Sequence, residues 1–179
     1  MIAASIAVAL VHSPVLNQRG ETSTTAITPM DVHDFARTAA FYGLDTVYLV
    51  HPAEGMHAMV RDLTGYWKEG KGGERNQGRK QVLAAVQVVN RLEDAQQQRD
   101  YQLWLTSAQL PSGAEGVLPS QLPKMKGNHL IVLGTGSGLD VEKLPKVNGW
   151  LSPIAGVGKV RHLSVRAALA IYLDRLCMS

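Results

Sequence analysis

HLIVLGTGSGL, residues 129–139, is followed closely by LSPIAGVGKVRHLSVRAALAIYLDRL, residues 151–176. Each stretch begins with an apolar run typical of a buried strand and continues into a loop of small residues. The second loop leads into a long amphipathic helix, predicted over residues 163–177. Two glycine-containing loops at strand ends predict a compact pocket whose walls are largely main-chain atoms. This pocket is the expected functional site.

The rest of the chain alternates between patterns typical of strands and of helices. We predict strands at 4–11, 45–50, 81–89, 101–107, 129–134 and 149–154, and helices from Thr28-Pro29 to Gly43 and over 53–66, 91–100 and 163–177. The polar stretch 12–28, the proline-containing stretch 109–128 and the glycine-rich stretch 68–80 are expected to be loops, the last of them flexible and exposed. This alternation predicts an α/β fold with a mostly parallel sheet covered by helices on both faces.

Ligands of such sheets bind beyond the carboxyl ends of the strands. Three loops are therefore expected to converge there, namely Thr106-Ser107, Gly134 to Leu139 and Ser152 to Gly158. Neither an internal repeat nor a clear linker interrupts the pattern. Residues 1–179 are accordingly expected to form a single domain with one hydrophobic core.

The composition and the N-terminal sequence indicate in which cellular compartment the protein is expected. A single cysteine, Cys177, excludes a disulfide framework and fits a reducing cytoplasm. The N-terminal run MIAASIAVALVHSP has no basic residue before its apolar part, so we interpret it as a buried strand and not as a signal peptide. No apolar run reaches the ~18 residues that a membrane-spanning helix needs. We therefore expect a cytoplasmic protein without a membrane partner.

The net charge of +3 is unevenly distributed along the chain. Residues 61–80 carry six basic and three acidic side chains, and residues 121–179 carry eight basic and three acidic ones. This asymmetry predicts a polyanionic partner. The phosphate contacts are expected from Lys68, Lys71, Arg75, Arg79 and Lys80, although the same residues also fit an ordinary solvated loop. The six histidines show no metal-ligand spacing, so no metal is expected.

The run Gly134-Thr135-Gly136-Ser137-Gly138 is open to several interpretations. A phosphate-binding P-loop ends in Gly-Lys-Ser/Thr, whereas this run continues as Gly-Leu-Asp. A dinucleotide-binding loop opens a long helix early in its domain, and here a short, proline-containing segment follows late in the chain. A tight turn without a ligand remains open. A main-chain cradle for a small cofactor is favoured, because a second glycine-rich loop has the same predicted position.

The order of these motifs resembles a known family. Strand–GTGSGL, strand–SPIAG and a loop running into HLSVRAALAIYLDRL are similar to the C-terminal half of the SPOUT RNA methyltransferases, the α/β-knot enzymes. DVHDFARTAAFYGLDTVYLV, residues 31–50, resembles the first motif of the ribose-methylating SpoU branch. With VHSPVLN near the start, the whole pattern most resembles a small TrmD-like branch. Three positions differ from the usual SpoU pattern: Asp31 replaces an asparagine, Gly136 a glutamate and Ser164 an asparagine. These differences leave open whether the methylated atom belongs to a base or to a ribose.

The resemblance implies S-adenosylmethionine as cofactor, tRNA or rRNA as substrate, a homodimer, and a deep trefoil knot with the cofactor pocket in about 101–179. It implies catalytic roles for Arg37 and Asp31, although Asp31 also fits a plain first-turn acid. Ser164 likewise fits a plain helix N-cap. Arg161 joins the predicted RNA-binding residues. The expected cofactor-binding residues are Thr106, Ser107, Ala108, Leu133, Gly134, Thr135, Gly136, Gly138, Leu139, Ser152, Pro153, Ile154, Gly156, His162, Leu163 and Ser164.

Two other functions remain open from the sequence. The altered second and third motifs are compatible with a non-catalytic RNA-binding or assembly protein on the same knotted fold. A small-molecule or nucleotide-binding α/β enzyme outside this family is the third hypothesis.

Overall fold

Seven strands form one sheet in which every neighbouring pair is parallel. The computed structural model describes residues 5–177. Its strands are Ile6–Val11 (β1), Val15–Leu16 (β2), Thr22–Ser23 (β3), Val47–Val50 (β4), Val86–Val89 (β5), Tyr101–Leu105 (β6), Gly116–Val117 (β7), Asn128–Gly134 (β8) and Gly149–Leu151 (β9). Its helices are Pro29–Phe41 (α1), Glu54–Lys68 (α2), Lys71–Arg75 (α3), Gln77–Ala84 (α4), Leu92–Gln98 (α5) and Val165–Cys177 (α6).

The sheet is ordered β5-β4-β1-β8-β6-β9-β7, with β2 and β3 forming a separate antiparallel pair. Its centre is β1, in which Val8 pairs with Val47 of β4 and with Ile131 of β8. Central parallel strands are buried on both faces, which is why IAVALV and HLIVLG are almost uninterrupted apolar runs. The predicted α/β fold with a mostly parallel sheet is confirmed.

Each face of the sheet has its own hydrophobic cluster. Val8 and Leu10 point to the face covered by α1 and α6, where Phe35 and Leu173 are fully buried. Their neighbours Ala7, Ala9 and Val11 point to the opposite face, which is covered by α5 and the segment after β8. Alternation along the strand therefore assigns the two faces, and helices lie on both of them as predicted.

Helix α1 begins where the sequence predicts it. The Thr28 hydroxyl accepts a hydrogen bond from the Asp31 amide at 3.2 Å, while Asp31 Oδ2 accepts one from the Thr28 amide at 3.0 Å. This reciprocal capping satisfies main-chain donors that the first turn leaves free. Pro29 stands in the first turn, and the chain leaves the helix at Gly43, where φ is +77°.

The prediction of a flexible loop over 68–80 is wrong, because the segment is helical. It contains the end of α2, all of α3 and the start of α4. A Cβ atom on Gly72 would lie 2.6 Å from Cε1 of Tyr66, so the glycine permits close packing. The Asn76 side chain caps α4 by accepting a hydrogen bond from the Arg79 amide at 2.9 Å. As a consequence, the strand predicted at 81–89 begins only at Val86.

The remaining differences concern the ends of elements and short elements within the predicted loops. Stretch 12–28 contains the β2–β3 pair, and stretch 109–128 contains β7 and a 3-10 turn at Pro119–Lys124. The strand predicted at 4–11 is observed from Ile6, and residue 4 lies outside the described residues. Within residues 5–177, no helix combines the length and apolar character needed to cross a membrane.

Candidate functional site

Three loops leave the sheet from three neighbouring strands. Because β6 lies between β8 and β9, their carboxyl ends stand side by side at one edge of the sheet. The loops are 106–108 after β6, 135–139 after β8 and 152–164 after β9. All the sequence-predicted cofactor residues belong to these loops or to the last residues of β8. The sheet therefore brings the three predicted loops to the same edge.

The loop after β8 is tightly built. A Cβ atom on Gly136 would lie 2.7 Å from the Leu16 carbonyl oxygen, and its φ of +61° is one that glycine adopts without strain. The Ser137 amide donates to the Leu16 oxygen at 2.8 Å, and the Leu16 amide donates to the Gly138 oxygen at 2.8 Å. These hydrogen bonds tie the loop to β2.

Three side chains of this loop region serve the fold. Leu133 and Leu139 are buried in the two hydrophobic clusters, and Leu139 packs against Gly134. The Thr135 hydroxyl donates to the Val11 oxygen at 3.2 Å. Only their main-chain groups are thus left to meet a ligand. Gly138, by contrast, has no atom within 4 Å of the position of a Cβ atom.

The loop after β9 is anchored at its two ends and exposed between them. The Ser152 amide donates to the Val117 oxygen at 2.8 Å, and its hydroxyl donates to the Gly116 oxygen at 3.0 Å. At the other end, the Ser164 hydroxyl accepts a hydrogen bond from the Ala167 amide at 3.3 Å, which is the geometry of an N-cap. Residues 155–164 are all exposed, including His162 and Leu163.

Residues 106–108 begin the segment 106–115 that joins β6 to β7. The amide and the hydroxyl of Thr106 both donate to the Val132 oxygen at 3.0 Å, which fastens the end of β6 to β8. The Ser107 hydroxyl accepts a hydrogen bond from the Gln109 amide at 3.2 Å, and Ala108 is exposed. Residues 106–108 follow the middle strand of the three and therefore lie between the other two loops.

Asp31 pairs with an arginine that the sequence did not single out. Arg166 Nη1 lies 3.6 Å from Asp31 Oδ1, and Arg166 Nε lies 3.3 Å from Asp34 Oδ2. Asp31 is buried with 6% of its surface exposed. No ion pair within 4.0 Å joins Asp31 to Arg37, whose side chain is exposed. One signal in the sequence pointed to Arg166. It stands in the first turn of a predicted helix, where a cation opposes the helix dipole and an acidic partner is therefore expected.

A chain of buried polar groups lies beneath the loop after β8. His12 Nδ1 is 3.0 Å from the Thr25 hydroxyl, which is bonded in turn to the Thr135 hydroxyl. Since Thr135 donates to Val11, Thr25 donates to Thr135, and the imidazole proton is assigned to Nδ1 of His12. Burial lowers the pKa of His12 to about 4, although the Asp31 carboxylate opposes this shift. Its Nε2 is buried and has no hydrogen-bond partner among residues 5–177.

The predicted RNA-binding residues lie on two parts of the chain. Lys68, Lys71, Arg75, Arg79 and Lys80 are carried by α2, α3 and α4, and among residues 5–177 none of them forms an ion pair within 4.0 Å. Arg161 is in the loop after β9, where its guanidinium donates to the Gly156 oxygen at 3.2 Å. The described residues contain no cluster of three or more histidine, cysteine or acidic side chains that could hold a metal ion.

Comparisons with known proteins agree with this geometry. A family model described as SAM-dependent RNA methyltransferase matches residues 5–178. An uncharacterised protein of Aquifex aeolicus is 32% identical over 184 residues, which cover 98% of this chain and 90% of that protein. The crystal structure of TrmJ from Z. mobilis ZM4 aligns with a TM-score of 0.64 at 17% identity, over 97% of this chain and 69% of that chain, so the two share a fold.

A longer relative matches only in part. A tRNA (guanine-N(1)-)-methyltransferase of Nitratidesulfovibrio vulgaris is 32% identical over 173 residues, which cover 94% of this chain. This chain spans only 41% of the length of that enzyme.

Proposed function

The chain belongs to the family of SAM-dependent RNA methyltransferases, and we propose that it methylates a base or a ribose of tRNA or rRNA. The resemblance to the SPOUT RNA methyltransferases is confirmed, and S-adenosylmethionine is the cofactor of the family. We place the site here because three loops lie side by side at the carboxyl ends of neighbouring strands. Ligands bind at this edge in open parallel sheets.

The residues at this edge suit a cofactor held mainly by main-chain groups. Gly138 and Gly156 have no atom within 4 Å of the position of a Cβ atom, so a ligand can approach the backbone there. We propose that loops 106–108, 134–139 and 152–164 hold the adenosine and methionine parts. When bound, the sulfonium supplies an electrophilic methyl group, which leaves the protein to position the nucleotide and manage its proton.

The protein side of the reaction is proposed for α1 and the first turn of α6. Arg166 links the two helices through Asp31 and Asp34, and thereby fixes the point where loop 152–164 enters α6. Asp31 is in this view a positioning residue, because both of its oxygens are engaged by Thr28 and Arg166. Arg37 stays the proposed group that stabilises negative charge on the nucleotide, since its side chain is exposed and forms no ion pair among the described residues.

We also propose a homodimer of single-domain cytoplasmic chains, with a trefoil knot in about 101–179. The dimer is supported by exposed apolar side chains in loop 152–164, where Val157, Val160 and Leu163 face solvent. Replacing Leu163 with aspartate is expected to convert the dimer to a monomer in light scattering. A wild-type chain that is monomeric at high concentration contradicts the dimer.

Two measurements test the proposed function. Calorimetry is expected to detect one S-adenosylmethionine site per chain. Mass spectrometry of nucleosides from total RNA, with and without the gene, is expected to reveal one methylated nucleoside that disappears in the deletion strain. Cofactor binding without any change in RNA methylation favours the non-catalytic assembly role. The absence of cofactor binding contradicts the proposed function.

A further inference from the structure

Four side chains from three helices form a cluster on the surface. Arg79 of α4 lies over the ring of Trp67, with its guanidinium carbon 4.5 Å from the ring centroid. The rings of Tyr66 and Trp67, both from α2, are nearly perpendicular with centroids 5.1 Å apart. His33 of α1 meets Trp67 edge-on at 6.2 Å. We refer to Tyr66, Trp67, Arg79 and His33 as the aromatic platform.

The side chains of the aromatic platform are held in place by packing. Trp67 packs against the hydrophobic cluster beneath α1 and α2, while Tyr66 has 53% of its surface exposed. Gly72 of α3 lies directly against both rings, because a Cβ atom there would be 2.6 Å from Tyr66 Cε1 and 2.8 Å from Trp67 Cε3. Stacking on Trp67 holds the planar guanidinium of Arg79 in a fixed orientation. The cluster therefore offers a rigid aromatic ring and a rigid planar cation.

The surroundings of the platform are positively charged. Burial lowers the pKa of His33, and the nearby charges of Arg79 and Arg37 lower it further, so His33 is mostly neutral at neutral pH. Four further cations are carried by α2, α3 and α4, namely Lys68, Lys71, Arg75 and Lys80. None of them forms an ion pair within the described residues. Cations that form no ion pair among the described residues, on the helices that carry an exposed aromatic ring, match a nucleic-acid strand.

We propose that the aromatic platform binds an unpaired nucleotide of the RNA substrate. The base stacks on the ring of Tyr66, the guanidinium of Arg79 over the perpendicular Trp67 ring donates to an edge of that base, and the four cations of the same helices contact the flanking phosphates. An unpaired nucleotide fits better than a duplex, because the bases of an A-form helix are stacked on each other and their faces are closed to side chains. It also fits better than an acidic peptide, which has no planar group to stack on Tyr66. This inference rests on the proposed function in that the ligand is RNA.

Fluorescence anisotropy with a labelled 12-nucleotide single-stranded RNA tests the proposal. Tyr66→Leu, which keeps an apolar side chain and removes the aromatic face, is expected to weaken binding about tenfold, whereas Tyr66→Phe binds within about twofold of wild type. Arg79→Lys keeps the charge and loses the planar group, and is expected to weaken binding about fivefold. Phe41→Leu, at a ring with 80% of its surface exposed, and Arg91→Lys are matched controls expected to bind like wild type.

Three outcomes overturn the proposal. They are equal binding by Tyr66→Leu and Phe41→Leu, tighter binding of an RNA duplex than of the single strand, and displacement of the RNA by polyglutamate at equal charge. Circular dichroism of each variant shows whether its helix content, including α3, is retained. Weaker binding with retained helix content is assigned to loss of the platform. Calorimetry with S-adenosylmethionine separates this inference from the proposed function, because Tyr66→Leu is expected to bind the cofactor normally. A wild-type chain without cofactor affinity refutes the proposed function and leaves the anisotropy result valid.

Discussion

The loops after β8 and after β9 have similar compositions, and apart from Gly138, which is open like the glycines of the second loop, the structure uses their glycines in opposite ways. In the loop after β8, Gly134 and Gly136 are packed against Leu139 and Leu16, with no space for a side chain. In the loop after β9, Gly156 and Gly158 have no atom within 4 Å of the position of a Cβ atom. The first set of glycines builds the fold, and the second leaves the backbone open. The comparison teaches that glycine content alone does not distinguish a structural turn from a binding surface.

The largest expected difference between the loops is in stability. Gly136→Ala places a methyl group against the Leu16 oxygen at a φ of +61°, so we expect the free energy of unfolding to fall by about 3 kcal/mol. Urea denaturation measures this change. Gly158→Ala in the other loop is the matched control. Equal effects of the two substitutions contradict the difference in packing.

The second prediction concerns pH, and it follows from the position of His12 beneath the loop after β8. Its pKa is about 4 in the folded chain and 6.5 in the unfolded chain, so between these values the unfolded chain binds more protons. The contribution of His12 to stability is therefore complete above pH 6.5 and lost as the pH falls towards 4, by about 3 kcal/mol. Denaturation midpoints measured from pH 7.5 to 4.5 check this, with His12→Asn expected to flatten the profile. A profile unchanged by His12→Asn assigns the acid sensitivity to other groups.

The third prediction concerns the ion pair at which the exposed loop rejoins the folded body. Arg166 Nη1 lies 3.6 Å from Asp31 Oδ1, and the side chain of Arg166 is 33% exposed. In a double-mutant cycle of Asp31→Asn and Arg166→Gln, we expect a coupling free energy of about 1 kcal/mol. Asp45→Asn with Arg99→Gln, an exposed pair, is the control and is expected to show a smaller coupling. A coupling near zero removes Arg166 from the positioning of α6.

The smallest expected effect on stability is in the exposed loop. Gly156→Ala meets no neighbouring atom, so we expect the free energy of unfolding to change by less than about 0.5 kcal/mol. The same substitution is expected to weaken binding of S-adenosylmethionine, because the methyl group occupies space that the proposed site leaves to the ligand. Paired denaturation and calorimetry measure both quantities. Unchanged cofactor affinity places the binding surface elsewhere in the loop.

The sequence predicted those parts of the fold that are determined locally. Continuous apolar runs identified β1 and β8, and the Thr28-Pro29-Asp31 pattern identified the start of α1. The segment 68–80 was mispredicted because three of its glycines are explained only by packing against the end of α2. Gly72 lies against the rings of Tyr66 and Trp67, and Gly70 and Gly73 lie against main-chain atoms of the same two residues. The sequence also did not reveal that the partner of Asp31 is Arg166, which lies on a helix far away in the sequence. Contacts of this kind depend on the tertiary structure and have no local signature.

The place of β1 in the sheet also constrains how the chain is made. One edge of β1 pairs with β4, which follows early in the sequence, and the other pairs with β8, which is translated much later. A nascent chain that still lacks Asn128–Gly134 presents an apolar strand with unsatisfied main-chain groups along one edge. Folding must then wait for long-range pairing, which is slow compared with local helix formation. The centre of the sheet thus stays prone to aggregation at least until β8 has been synthesised.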